Sequence, residues 1–287
     1  MTMTPTQSMI AYLGGSTIQT IADNPITAYR QLIQQYAKTA SGELISPSSA
    51  RREANAVFRA TPIQASLSGL GPRLVGVGFK RIPKFGILLG ISYCFENGED
   101  VGFVAATSAS ILSAPFINPI RFIEKQQRAT FRESGTQRST LDILRESAKQ
   151  RFRPLFRGTI PLMGHSLASA TTGLVGQPQI QRYIKKELNS TTSLGDFAIG
   201  LVSSAVVSPI YIMMTNPLSR LEALMQTSPV TGKAVNIQSA VKEVFLDCKQ
   251  FGVRGMFRGQ GIGIVKAVIS LTLFHQGRLW ITEGLLE

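Results

Sequence analysis

Lys266 stands alone in the apolar run GIGIVKAVISLTLF, with no other charged residue between Gly259 and Leu273. An ammonium in such surroundings is costly unless it does something, and what it can do is hold an anion. His165 stands alone in a second apolar stretch, after Gly158. Its imidazole can donate or accept a hydrogen bond to a polar solute. The other reactive types are scarce. The 287 residues hold two histidines and two cysteines, Cys94 and Cys248, without metal-ligand spacing. That argues against a zinc centre and against a disulfide framework. The glycine run Gly259-Gln-Gly-Ile-Gly263 follows no strand and does not complete a phosphate-cradling loop. No nucleophile–base pattern stands out. The expectation is a protein without catalysis, metal or cofactor.

The charge balance needs a partner. Lys and Arg total 30 against 17 acidic residues, a formal net charge of +13. Nucleic acid, anionic lipid and an anionic small solute all answer such a charge. The basic residues are spread along the chain instead of clustering on one element, which speaks against a nucleic-acid reader. Only 16% of residues are charged, below the roughly 25% of ordinary soluble domains.

The elements that must position these residues are marked by charge-free windows. Residues 1–22, 101–120, 158–181 and 197–219 contain no Asp, Glu, Lys or Arg. About 20 helical residues cross a hydrocarbon core of ~30 Å. The windows are rich in Gly, Ala, Ser and Thr, as membrane helices are where they pack closely. The N-terminal window lacks a basic start and a cleavage site, so it reads as a structural helix and not a secretory signal.

The chain repeats itself. Asn24-Pro25-Ile26, Asn118-Pro119-Ile120 and Asn216-Pro217-Leu218 each close a charge-poor window and open a polar helical stretch. Phe156-Arg157-Gly158 follows the second and Phe257-Arg258-Gly259 the third; Leu67-Ser68-Gly69 is the counterpart after the first. Another apolar stretch follows each glycine. Between them, residues 48–59, 139–152 and 238–248 have the periodicity of short surface helices. The spacing predicts three repeats, 1–97, 98–190 and 191–287. The fold expected is all-α: six transmembrane helices in three pseudo-symmetric pairs, with short surface helices between odd and even members. Pro25, Pro119 and Pro217 are expected to kink the odd helices and draw them together at one end.

These paired motifs, three times over, resemble the mitochondrial carrier family across about residues 8–284. The resemblance implies a solute transporter of the mitochondrial inner membrane, multi-pass and monomeric, working by alternating access. In the family an acid two residues after each proline and a base five after it form a gate of ion pairs on the matrix side. Here the acid positions hold Thr27, Arg121 and Ser219, and the base positions hold Arg30, Glu124 and Glu222. The family's pairing rule joins Arg121 to Glu222, Thr27 to Glu124, and Ser219 to Arg30. The first is a salt bridge of reversed polarity; the others are charged hydrogen bonds. The family's bracing glutamine is matched by Gln34 and Gln226, whereas Arg128 departs from it. The cytosolic charge ring of the family has no counterpart in this chain.

The resemblance also places a solute site on the even helices, seven residues after the motif glycines. That gives His165 and Lys266, and the family's basic-x-x-Pro pattern adds Lys80, Arg81 and Lys84 before and after Pro83. Several cations in a low-dielectric cavity suit an anionic solute, with a nucleotide such as ATP or ADP favoured. Gly158 and Gly259, opening the fourth and sixth helices, are expected to bind a lipid phosphate, cardiolipin in the family. The alternative function is a transport-inactive carrier-fold scaffold or receptor. A soluble nucleic-acid binder is the weaker third.

Overall fold

Among the described residues of the computed structural model 88% are helical, and no β-strand occurs. The structure describes residues 5–35, 44–94, 107–188, 193–228 and 235–286. The elements follow one another as α1 (Pro5–Gln35), α2 (Pro47–Ala60), α3 (Pro62–Leu67), α4 (Leu70–Cys94), α5 (Ala114–Ser134) and α6 (Thr140–Lys149). Then come α7 (Thr159–Ala170), α8 (Gln177–Leu188), α9 (Ser193–Gln226), α10 (Ile237–Phe251), α11 (Val253–Met256) and α12 (Gln260–Leu286). A π turn over Thr171–Gly176 joins α7 to α8 without a break.

Local chemistry explains where the connectors begin. Ser46, Ser139 and Asn236 each turn a side-chain oxygen onto a backbone N–H in the first turn of α2, α6 and α10. These three helices occupy the stretches whose periodicity predicts them, with ends shifted by one to three residues. Pro25, Pro119 and Pro217 lie inside α1, α5 and α9, as expected from the tripeptides. Pro83 in α4 and Pro209 in α9 are further interior prolines.

The long helices close a ring. α1 packs on α4, α4 on α5, α5 on α7, α7 on α9, α9 on α12, and α12 returns to α1. The return contact is close: a methyl added at Gly14 of α1 would collide with Ile281 of α12. The three helices that carry Asn-Pro, α1, α5 and α9, also touch one another pairwise.

The interior mixes charged with apolar side chains. The largest fully buried side chains among the described residues are Arg128, Arg220 and Arg258, ahead of Phe122. Meanwhile Val75, Phe79 and Ile82 of α4, Phe116 of α5, and Val202, Val206, Ile210 and Met213 of α9 are exposed. These exposed apolar residues recur at helical spacing along α4 and α9.

The expected spans differ in apolarity. Among the described residues one segment, Phe197–Gln226, is both long and apolar enough to cross a membrane, and Gln260–Leu273 is a shorter apolar stretch. The remaining long helices have the length but carry charges on their inner faces: Asp23 and Arg30 in α1, Arg73 in α4, and Arg121 to Arg128 in α5. The 101–120 window falls partly outside the described residues and is helical from residue 107.

Candidate functional site

Charged side chains from α1, α4, α5, α9 and α12 converge inside the ring. Asp23, two residues before Pro25, is 1% exposed. It accepts from Arg73 of α4 at 2.7 Å and from Ser270 of α12 at 2.5 Å. Lys266 Nζ lies 3.9 Å from the same carboxylate. Lys266 therefore faces inward, toward α1, and keeps 23% of its side chain exposed.

A second carboxylate sits one helix further round. Glu124 pairs with Arg128 at 2.6 Å, with Arg73 Nε at 3.8 Å, and accepts from Gln31 at 3.4 Å. The third, Glu222, is fully buried between Arg121 at 3.1 Å and Lys125 at 3.0 Å. Arg30 donates to Asn216 at 2.6 Å. The cluster holds six cations (Arg30, Arg73, Arg121, Lys125, Arg128 and Lys266) and three carboxylates, an excess of three positive charges. Such an excess in a low-dielectric interior attracts an anion strongly.

The expected gate pairs fare differently. Arg121 and Glu222 form the reversed salt bridge. Thr27 does not reach Glu124: its hydroxyl lies 3.4 Å from Asp23 Oδ1, one turn back on α1, because α4 brings Arg73 in to share Glu124 and α5 itself supplies Arg128. Ser219 is not the partner of Arg30, whose guanidinium instead reaches Asn216, nearly one turn earlier on α9.

The brace positions do more than the two glutamines promise. Gln34 donates to Asn216 at 3.3 Å, Gln226 to Asn118 at 2.7 Å, and Arg128 to Asn24 at 3.0 Å. Arg128, the apparent departure, thus makes the same contact as its counterparts. Gln226 and Arg128 also donate to the carbonyl just before the neighbouring motif glycine, on Arg157 and Ser68 respectively.

The motif glycines pack against this girdle. Gly69 and Gly158 have φ of +68° and +79°, a left-handed backbone that favours glycine. A methyl on Gly69 would lie 3.0 Å from Arg128 and Glu124; on Gly158, 3.4 Å from Gln226; on Gly259, 3.4 Å from Arg30. At Gly158 and Gly259 it is the left-handed backbone that favours glycine, since a methyl at 3.4 Å would make only ordinary contact.

Among the expected solute contacts, His165 is half-buried on α7, its ring 6.3 Å from that of Tyr211 on α9. Lys80, Arg81 and Lys84 fall on α4, and their side chains lie outside the described residues. No motif points to Asp23, Arg73 or Lys125, and the asparagines of the Asn-Pro tripeptides mark the repeats without a role in the site. Two left a trace: Asp23 is the first charge after a charge-free window, and Lys125 follows Arg121 by one helical turn. No group of His, Cys, Asp and Glu suited to a metal occurs among the described residues.

Comparison of the chain with protein-family models, and with curated proteins, finds no match.

Proposed function

We propose that this protein is a transmembrane transporter of an anionic solute, with a nucleotide such as ATP or ADP favoured, working by alternating access in the mitochondrial inner membrane. The observation that carries the reading is the buried excess of three positive charges, with Lys266 facing inward across from Asp23. A soluble fold has no use for such a cluster, since uncompensated buried charge is strongly destabilising. A solute anion supplies the missing compensation. The closed helical ring and the apolar exterior of α4 and α9 support six spans in three pairs, in a single chain that needs no second copy. The turns at Gly158 and Gly259 lie where orphan helix N–H groups suit a lipid phosphate, for which cardiolipin is the natural candidate.

The test is reconstitution into liposomes, with uptake of ATP, ADP, phosphate and dicarboxylates measured side by side. Uptake of a nucleotide that Lys266→Ala abolishes supports the reading. A membrane-integral chain that moves none of these anions leaves the scaffold in its place. Release from membranes by salt alone would sink both and point to a soluble basic binder.

A further inference from the structure

We infer that Asn24, Asn118 and Asn216 form an amide latch that seals the connector end of the bundle, a role that rests on the transport reading above. Each asparagine precedes a repeat proline and is almost fully buried. The Oδ1 atom of each accepts from the side chain nine residues past the proline of another repeat: Asn24 from Arg128, Asn118 from Gln226, Asn216 from Gln34. The three links run in one sense, so every repeat donates once and accepts once. They join α1 to α5, α5 to α9, and α9 to α1.

The amide of the asparagine works in the other direction. Asn24 Nδ2 donates to the Ser66 carbonyl and Asn118 Nδ2 to the Leu155 carbonyl, each three residues before its own motif glycine. The asparagine is thus a two-way clamp. It ties the turn of its own repeat to the neighbour's helix end. Arg128 and Gln226 complete the clamp by bonding the carbonyl next to the glycine. At Gly69 a larger side chain would crowd the donor, since a methyl there would lie 3.0 Å from Arg128.

Of the charge pairs expected to close this end, one forms between the expected partners. The asparagine links hold at all three junctions. Two of the three links, Gln226 to Asn118 and Gln34 to Asn216, are neutral and exchange for water at small net cost, whereas the third, Arg128 to Asn24, is charged and stands beside the Glu124 pair. The amide links therefore add closure at little cost to reopening, and the buried ion pairs set most of that cost.

The test uses the full chain in proteoliposomes, with Cys94 and Cys248 replaced by serine. Thr20, buried on α1 one turn before Asn24, is replaced by cysteine as a reporter of the interior. A membrane-impermeant thiol reagent is supplied on the face that carries α2, α6 and α10. The latch predicts at least a threefold faster labelling for each of Asn24→Ala, Asn118→Ala and Asn216→Ala. Asn→Asp at the same positions keeps the acceptor oxygen but sets a carboxylate oxygen against the turn carbonyl that Nδ2 bonded, so its labelling is expected to rise as well. Gln34→Ala and Gln226→Ala remove the donor instead, and give the same rise should an asparagine variant fail to fold. Labelling that stays at the parental rate in folded variants from both sides of the ring overturns the latch. The labelling readout does not depend on uptake. A chain that moves no anion but labels as predicted keeps the latch and loses the transport reading; one that moves anions with unchanged labelling does the reverse.

Discussion

Arg121 and Lys125, one turn apart on α5, hold the same carboxylate, Glu222 of α9, at 3.1 and 3.0 Å. The pair is therefore a triad with two cations on one face. Removing the acid strands both. Glu222→Gln is expected to cost on the order of 3–5 kcal/mol, because uncompensated buried charge remains. Arg121→Gln is expected to cost less than half as much, since Lys125 still neutralises Glu222. Thermal unfolding in detergent compares them. The triad also changes the outcome of a charge swap. Arg121→Glu with Glu222→Arg leaves Lys125 facing a new guanidinium, so uptake recovers only in part. Adding Lys125→Gln to the swap should improve recovery; full recovery by the double variant alone would show that Lys125 is no partner.

The motif glycines give a sharper contrast. Gly158 has φ +79° and Gln226 within 3.4 Å of where a methyl would sit. Gly158→Ala is expected to lose about 1–2 kcal/mol from the left-handed backbone alone. Gly261, on the exposed side of the first turn of α12, has open space around its Cα. Gly261→Ala is expected to be neutral or to gain up to about 1 kcal/mol, as alanine does in a helix. Melting temperatures of the two variants, measured together in one detergent, decide the matter. Equal effects would mean that Gly158 is turn punctuation and nothing more.

Much of this was legible from periodicity. The connector helices, the prolines inside α1, α5 and α9, and the inward Lys266 all follow from patterns within a few dozen residues. What stayed hidden depends on distant pairing. Thr27 sits at the position where an acid is expected, yet Arg73 of α4 takes up Glu124 instead, 51 residues away in sequence. In the sequence Asn24 is only part of a repeated tripeptide, and only the fold brings Arg128 to it, 104 residues on. Arg128 itself reads as a lost glutamine until its guanidinium is seen on the same oxygen. A motif search scores residue types, whereas hydrogen-bond geometry accepts any donor of the right reach.

A second buried cluster locks the third connector in place. Asp247 of α10 is fully buried, paired with Arg258 at 2.6 Å and with Arg220 at 2.5 Å. Arg258 also donates to the Ile45 carbonyl, just before α2, and Arg220 to the Gly255 carbonyl. One carboxylate thus ties α10 to α9 and, through Arg258, to the first connector. Asp247→Asn keeps the shape but leaves two guanidinium groups without a counter-charge. A loss on the order of 3–5 kcal/mol is expected. Asp142→Asn on the exposed face of α6 serves as the control, with a change within about 0.5 kcal/mol. Thermal unfolding reads both; similar small shifts would mean that water reaches the Asp247 cluster.

Lys266 and Asp23 oppose each other across the interior, 3.9 Å apart, and their variants should move solute affinity in opposite directions. Lys266→Ala lowers the excess positive charge from three to two and removes the ammonium that faces the lumen. A rise of at least tenfold in the half-saturation concentration for ATP is expected, together with a shallower dependence on salt. Lys266→Arg keeps the charge and should lose far less. Asp23→Asn raises the excess from three to four. It should tighten apparent binding while slowing turnover, since an anion held more firmly is released less readily. Thermal shift with ATP reads the affinity change, because a ligand that binds the native state stabilises it. Uptake rates read the turnover. A lysine buried only to satisfy Asp23 would give a different pattern: both single variants would destabilise the protein, and neither would change the ATP-induced shift.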